Sequence, residues 1–354
     1  MFATQNWYCA ATTEELGDAL LGRRIIKQDI VLFRDEQGHA KAIDAMCAHR
    51  GGNLAKGRCV KGTVECPWHG WRYGGDGKCR LVPSVGAEGK IPGLAKVSAY
   101  PVHEAQGFIY VWMNAEVAPD WQPAQHDFLD ARYNIKNSPR VQQGNYISTV
   151  EAACDDSHVY IAHRKTIGRG APPQLPPISH VKTDENGRGV EGRMIWSAEQ
   201  KRKQGAFEAW YNRMLIGASE YVGTHDKSFR VELTGLVIHR YTKADGNEFI
   251  VYAFTTPIDE RTNWFLAGVV DTNPNRPLIG NLLYLLSSRS ILGQVFDEDE
   301  DMISSALSDK FPGGHPRPVS VNADMIGLGF RRIYAKQVQA EGIEPAWPAA
   351  GARP

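Results

Sequence analysis

Along the first third of the chain, short apolar runs alternate with polar turn clusters, the pattern of a β-rich domain. Ile25–Arg34 (IIKQDIVLFR), Ala40–Met46 (AKAIDAM) and Phe108–Met113 (FIYVWM) are β-branched and aromatic, and Gly-containing turns punctuate them, so each predicts a strand. Ahead of them, Thr12 and Glu15 stand three apart before Leu16, Ala19 and Leu20, which predicts a capping box opening a short helix. Between 114 and 139 the composition shifts to Pro, Asp, Gln and Asn, the mark of a domain boundary. Beyond it, Tyr146–His163 reads as helix, whereas Phe229–Ile238, Phe249–Thr255 and Trp264–Val270 read as strands. Asp297–Ala306 reads as the start of another helix, its acidic first turn suiting the positive end of the helix dipole. The Gly/Pro-rich stretch 168–179 predicts a loop, LIGNLLYLL at 278–286 a buried helix or core segment, and 346–354 a loose tail. The expected organisation is a β domain over 1–125, a mixed domain over 126–345 and the tail.

Composition narrows the partners. A chain of 354 residues with 42 % hydrophobic and 23 % charged residues is an ordinary globular protein with sizeable cores. Forty basic residues balance forty acidic ones, which argues against nucleic acid or an anionic membrane as main partner. MFATQNWY has neither a basic n-region nor an apolar h-region, and 278–286 is too short to span a bilayer. Six cysteines in so long a chain do not make a disulfide scaffold. The expectation is a cytoplasmic protein with reduced thiols, in which Cys9, Cys59, Cys79 and Cys154 are ordinary buried or half-buried thiols.

Two clusters carry candidate chemistry. CAHRGG (47–52) and ECPWHGWRY (65–73) give Cys47-x-His49, then sixteen residues, then Cys66-x-x-His69. Two thiolates and two imidazoles in paired short arms bind either zinc or a two-iron cluster, and spacing alone leaves both open. One Cys and one His per arm favours iron–sulfur, because a Rieske cluster has two Cys on one iron and two His on the other. Each arm also runs into a tight turn whose amides could donate to cluster sulfurs.

The second cluster is Asp155-x-x-His158-x4-His163. On a regular helix Asp155 and His158 share a face, but the two histidines stand about 140° apart and do not converge. A break or a π-type turn between them is therefore expected. A carboxylate one turn before His158 can accept that ring's free N–H and fix its tautomer.

CAHRGG and CPWHGWRY resemble the Rieske signature of the aromatic-ring-hydroxylating and demethylating oxygenases. The respiratory Rieske subunits carry an extra cysteine in each arm, where this chain has Gly52 and Trp68. VEAACDDSHVYIAHR (150–164) is similar to the mononuclear-iron helix of the same oxygenases, although Glu151-Ala152 stands where many members have an acidic residue followed by Asn. The resemblance implies an α+β protein, with an all-β Rieske domain followed by a helix-grip catalytic domain. It implies a [2Fe–2S] cluster on Cys47, His49, Cys66 and His69, and one Fe(II) on His158, His163 and a late carboxylate. The family's acidic-Asp-x-x-apolar pattern matches Glu298-Asp299-x-x-Met302, which makes Asp299 the expected third ligand, with Asp301 and Asp297 as fallbacks. It gives Asp155 a catalytic role, bonding the second cluster histidine, His69, of a neighbouring subunit and carrying electrons between the two metal sites of a homotrimer.

The chain length resembles the homotrimeric branch, carbazole dioxygenase and dicamba O-demethylase among them. The implied function is that of a terminal oxygenase. Electrons would come from a separate NAD(P)H-dependent reductase or ferredoxin, since no Gly-rich dinucleotide fingerprint is present. With O2 it would hydroxylate, dihydroxylate or oxidatively demethylate an aromatic or heterocyclic small molecule, monooxygenation ahead of dioxygenation. Two other classes compete: a Rieske electron-transfer protein without oxygenase activity, and a zinc-stapled binding protein.

Overall fold

The structure, a computed structural model, describes residues 2–86, 89–131, 134–136, 139–166, 175–195, 226–242, 246–272, 293–305 and 319–344. It divides into two compact units, Phe2–Gln125 and the chain from His126 onward.

The first unit is built from three small antiparallel sheets. One orders Trp7–Thr12, Phe108–Trp112 and Val102–Ala105; the second orders Leu21–Ile25, Gln28–Arg34, Ala40–Asp44 and Ala99–Tyr100. The third is a four-stranded meander of Arg58–Val60, Thr63–Glu65, Arg72–Tyr73 and Cys79–Leu81. Ile30, Val31, Leu32 and Phe33 are all fully buried, so this strand is covered on both faces. Val31, Phe33, Ile43, Leu54, Val64 and Tyr73 form one apolar cluster that also takes in Cys47 and Cys66. The two donor loops are thus anchored in a packed core, which holds their geometry.

Two expectations for this unit are corrected. The run 25–34 is a hairpin: Ile25 pairs with Gln28, and Ile26 and Lys27 make the turn with φ of +46° and +71°. Two-residue hairpin turns of this hand usually advertise themselves with Asn-Gly, and here an Ile and a Lys occupy the left-handed positions. The Thr12–Glu15 helix does not form. Thr12 Oγ1 does accept the Glu15 N–H at 3.1 Å, but the Glu15 carboxylate turns away to pair with Arg23, and the segment closes as a turn.

The second unit is an eight-stranded antiparallel sheet. Its main path runs Asn134–Lys136, Thr262–Asp271, Glu248–Pro257, Leu236–Thr242, Lys227–Glu232, Gly189–Met194 and Ile178–Thr183, with Arg140–Gln143 also pairing on Thr262–Asp271. Among the described residues its helices are α1 (Tyr146–Cys154), α2 (Val159–Ala162), α3 (293–305) and α4 (Met325–Ala340). Ile326, Phe330, Ile333, Tyr334 and Val338 of α4 are buried at helical spacing, an apolar stripe along one face of the helix. The backbone of α4 comes close to the sheet: a Cβ on Gly329 would sit 2.6 Å from Val190. Tyr146 of α1 packs edge-on against Phe330 and Tyr334 of α4, at ring-centroid distances of 6.0 and 5.3 Å.

The stretch 229–238 is also two strands rather than one. They meet at a turn where Gly235 has φ of +78° and a Cβ would lie 2.2 Å from the Thr255 carbonyl oxygen. Helix α3 is already formed at residue 293, so the acidic run at 297–301 lies in its body and not in its first turn. The expectations for 278–286, for 168–174 and for 346–354 lie outside the described residues, and 175–177 are irregular. Among the described residues no helix is long and apolar enough to cross a membrane.

Candidate metal centres

The two Cys/His arms share one backbone design. Cys47 N–H donates to Gly52 O at 2.9 Å and Gly51 N–H returns to Cys47 O at 2.9 Å. Cys66 N–H donates to Trp71 O at 2.8 Å and Gly70 N–H returns to Cys66 O at 3.1 Å. In both arms the residue four after the cysteine is a glycine with φ of +70°, a conformation glycine adopts without steric cost. The arms therefore present a cysteine and a histidine from matching turns, although His49 lies two residues after its cysteine and His69 three.

Both sulfurs are buried, Cys47 and Cys66 each being 3 % exposed, while His49 and His69 are exposed. The imidazoles meet at 4.7 Å between ring centroids, and His49 lies flat on Trp71 with 1° between the planes. The Tyr73 hydroxyl is 3.2 Å from Cys47 Sγ, and the Trp68 and His69 amides point at Cys66 Sγ. A Cβ on Gly52 would lie 3.2 Å from Cys66 Sγ, so a side chain there would press on that sulfur. Inward thiolates with amide and phenol donors, and outward imidazoles, suit a [2Fe–2S] group that Cys47, Cys66, His49 and His69 would hold.

In the second unit the chain does break, but before His158. Asp155 is extended (φ −93°, ψ 131°) and ends α1, and its carboxylate accepts the Ser157 N–H at 2.7 Å and the Ser157 hydroxyl at 2.9 Å. That local bond replaces the helical ladder, as short acidic side chains do at helix ends. Helix α2 is then a single turn with His158 at its start and His163 at its end (φ −97°, ψ 25°). The expected irregularity between the two histidines is corrected accordingly. Their rings nevertheless come together, 5.2 Å apart between centroids, because each caps one end of the same short turn.

Helix α3 supplies the acids. Phe296 and Ile303 point into the core, and Asp299, three residues after one and four before the other, shares their face. Asp297 and Asp301 lie about 200° round the helix and are exposed. Arg140 holds Asp297 at 2.7 Å and also pairs with Glu300. Asp299 Oδ1 is 3.0 Å from His163 Nε2 and 3.4 Å from His158 Nε2. One ligand atom from each of His158, His163 and Asp299 lies within 4.8 Å of the others.

The outer edges of the rings are also occupied. His158 Nδ1 faces Asp155 Oδ2 at 3.4 Å, and His163 Nδ1 faces Glu298 Oε2 at 2.9 Å. A carboxylate only accepts, and a neutral imidazole has one N–H, so each ring bracketed by two carboxylates needs a further cation on one side. A proton or a metal ion at the shared Asp299 oxygen would meet that need. Burial works against a charged His158 ring, yet Asp155 and Asp299 outweigh it and raise its pKa to about 9. The same Coulomb pull favours a divalent ion between the two Nε2 atoms and Asp299. Two imidazoles and one carboxylate make the donor set of non-haem Fe(II) sites with open positions. In the sequence Glu298 stands only as the acidic neighbour of Asp299, because two adjacent acids on a helix do not reveal which edge of a ring each will reach.

Comparison with known proteins finds a family model over each of the two segments that carry these clusters. Residues 6–101 match the Rieske [2Fe–2S] domain, and residues 143–340, more than half of the chain, match the vanillate O-demethylase oxygenase C-terminal domain. The chain is 26 % identical to the vanillate O-demethylase oxygenase subunit of a Pseudomonas species, over 96 % of each chain. It is 27 % identical to the oxygenase component of chloroacetanilide N-alkylformylase of Rhizorhabdus wittichii, over 97 % of each. Protein TIC 55 of Arabidopsis thaliana is 29 % identical over 57 % of this chain, which spans only 38 % of that relative's length. Among solved structures, dicamba monooxygenase bound to 3,6-dichlorosalicylic acid shares the fold with a TM-score of 0.78, at 20 % identity over 97 % of this chain and 99 % of that one. The chain therefore belongs to the family of Rieske [2Fe–2S] proteins with a vanillate O-demethylase oxygenase C-terminal domain.

Proposed function

We propose that the chain is the terminal oxygenase component of a Rieske non-haem iron oxygenase. The reading rests on one observation: Nε2 of His158 and Nε2 of His163 converge on the same oxygen of Asp299, in a chain that also carries the paired Cys/His arms. The cofactors of the family, a [2Fe–2S] cluster and a mononuclear iron, suit the two donor sets. Cys47, His49, Cys66 and His69 would hold the cluster, and His158, His163 and Asp299 the iron. Once bound, the pair supplies one-electron transfer and dioxygen activation. The chain's own part is to hold both groups: turns ending in Gly51 and Gly70 fix the cluster arms, and Asp155 orients His158 from behind.

Electrons would come from a separate NAD(P)H-dependent reductase or ferredoxin. The substrate would be an aromatic or heterocyclic small molecule. The vanillate O-demethylase and N-alkylformylase relatives favour monooxygenation with loss of an O- or N-alkyl group. Asp155 would couple the two centres across the interface of a cytoplasmic homotrimer, so Asp155→Asn should leave both metals bound and slow transfer between them.

The test is metal analysis of anaerobically purified protein with EPR after dithionite reduction, then substrate-dependent O2 uptake with a surrogate reductase. The expected content is roughly three irons and two acid-labile sulfides per chain, with a Rieske-type signal. Zinc without sulfide would overturn the reading, and cluster signal without a third iron after Fe(II) addition would favour the electron carrier.

A further inference from the structure

We infer that Glu298 is a positioning residue that selects the tautomer of His163, so that Nε2 is the nitrogen offered to the metal; this rests on the metal site proposed above. The geometry is specific. Adjacent residues of α3 grip opposite edges of one imidazole: Asp299 Oδ1 lies 3.0 Å from Nε2, and Glu298 Oε2 lies 2.9 Å from Nδ1. The ring is almost wholly buried, its side chain 2 % exposed, so water cannot substitute for either partner. Glu298 is itself held, because the Thr166 hydroxyl donates to the same Oε2 at 2.6 Å. Thr166 follows His163 by three residues, so α2's exit loop and α3 are tied together behind the ring.

An acceptor-only carboxylate at Nδ1 requires the proton there, which leaves the Nε2 lone pair directed at Asp299. Glu298 is on the wrong side of the ring to be a ligand in its place. His158 is backed in the same manner by Asp155, but at 3.4 Å and from its own segment; His163 draws its support from a helix more than a hundred residues away. Glu298 therefore links the position of the acidic helix to that of the histidine turn. Carboxylates behind ligating histidines raise their basicity and fix the ring, and losing one typically weakens metal binding about 10–100-fold.

The experiment uses the full-length, cluster-containing protein depleted of its mononuclear iron, titrated with Co(II) and followed by visible absorption. Glu298→Ala should bind Co(II) about 10–100-fold more weakly. Glu298→Gln, whose amide oxygen still accepts from Nδ1–H, should recover part of that loss. The Rieske EPR signal and the unfolding temperature of the metal-depleted protein should not change, which a merely structural role would not predict. Thr166→Val, which frees Glu298 without removing it, should weaken binding in the same direction by less. His163→Ala and Asp299→Ala are the reference variants. If these two lose Co(II) while Glu298→Ala binds like the parent, the site stands and the role of Glu298 is wrong. If Glu298→Ala and Glu298→Gln both lose Co(II) as fully as Asp299→Ala, Glu298 is a ligand and the inference fails. If His163→Ala binds like the parent, the metal site itself is wrong and the inference falls with it.

Discussion

The ammonium of Lys227 sits on the carboxylate of Asp156, the residue next to Asp155; the lysine is closed off from solvent and the carboxylate is mostly so, beneath the break between α1 and α2. Tyr241 accepts a further bond from Lys227 at 2.7 Å, and His239 places Nδ1 3.5 Å from Asp156 while its Nε2 donates to the Ala153 carbonyl at 2.7 Å. Two neighbouring strands thus hold the segment from which Asp155 and His158 project. Burial opposes the Asp156 charge, but Lys227 and His239 outweigh it and hold the carboxyl well below the usual range. Lys227→Met would leave that charge buried without its main partner, a loss of about 3–5 kcal/mol. For a unit of this size the unfolding midpoint should fall by roughly 6–20 °C. Lys227→Met with Asp156→Leu should recover most of the fall, since apolar replacements of a buried pair are often neutral. Calorimetry showing the double variant no better than the single one would contradict this account.

Acid should act through Glu232. Its carboxylate is buried, 3.0 Å from His126 Nε2 and 2.6 Å from Arg230 Nε. Burial pushes its pKa up, but His126 and Arg230 outweigh that and hold it below the ordinary value. A depressed folded pKa contributes stability that is fully present above the unfolded pKa of about 4.3 and is lost as pH falls through the lower folded value. Glu232→Gln should therefore cost its full amount just above that titration, at about pH 5–6, and the difference from the parent should narrow as pH falls below about 4. Unfolding midpoints measured from about pH 6 downward decide it; a gap that does not narrow on acidification would mean that the charge is not what matters.

What could be read in advance divides along physical lines. That Cys47, His49, Cys66 and His69 belong together, and His158 and His163 with Asp299, was legible because metal chemistry restricts residue type and spacing more tightly than folding does. Strand positions such as Phe108–Trp112 were legible from composition. Turn positions were not: Ile26–Lys27 takes a left-handed hairpin without the residues that usually signal one, and Leu233–Gly235 interrupts a run that reads as continuous. The break at Asp155 was placed too late because the convergence of His158 and His163 asked only for some irregularity, while the Asp155–Ser157 bond that creates it is local. Glu298 was not separable from Asp299 until their aim at opposite edges of His163 was known.

The cluster environment makes a prediction about potential. Burial and the adjacent Cys47 push the Tyr73 hydroxyl far above its ordinary pKa, so it stays protonated, and toward a cluster-bound Cys47 thiolate, which carries no proton, it would be the donor across the 3.2 Å contact. A donated hydrogen bond stabilises the more electron-rich, reduced cluster. Tyr73→Phe removes the bond with little change in volume, so the reduction potential should drop while cluster content stays the same. Redox titration followed by EPR measures both. An unchanged potential would mean that the phenol does not donate to the sulfur.

The two arm glycines should differ although their backbones match. Each has φ of +70°, so an alanine at either costs about 1–2 kcal/mol for the left-handed conformation alone. A Cβ at Gly51 would meet only Met46, at 3.8 Å, an ordinary contact with an exposed side chain. A Cβ at Gly70 would lie 3.1 Å from the ring of Pro83, which cannot rotate away. Gly51→Ala should therefore keep most of its cluster, and Gly51→Asn, which tolerates the left-handed region, should keep more. Gly70→Ala should lose cluster, because moving the turn to clear Pro83 also moves Cys66 and His69. Acid-labile sulfide per chain in the three variants gives the ranking, and equal losses at both glycines would show that conformation alone, not the Pro83 contact, sets the tolerance of the arms.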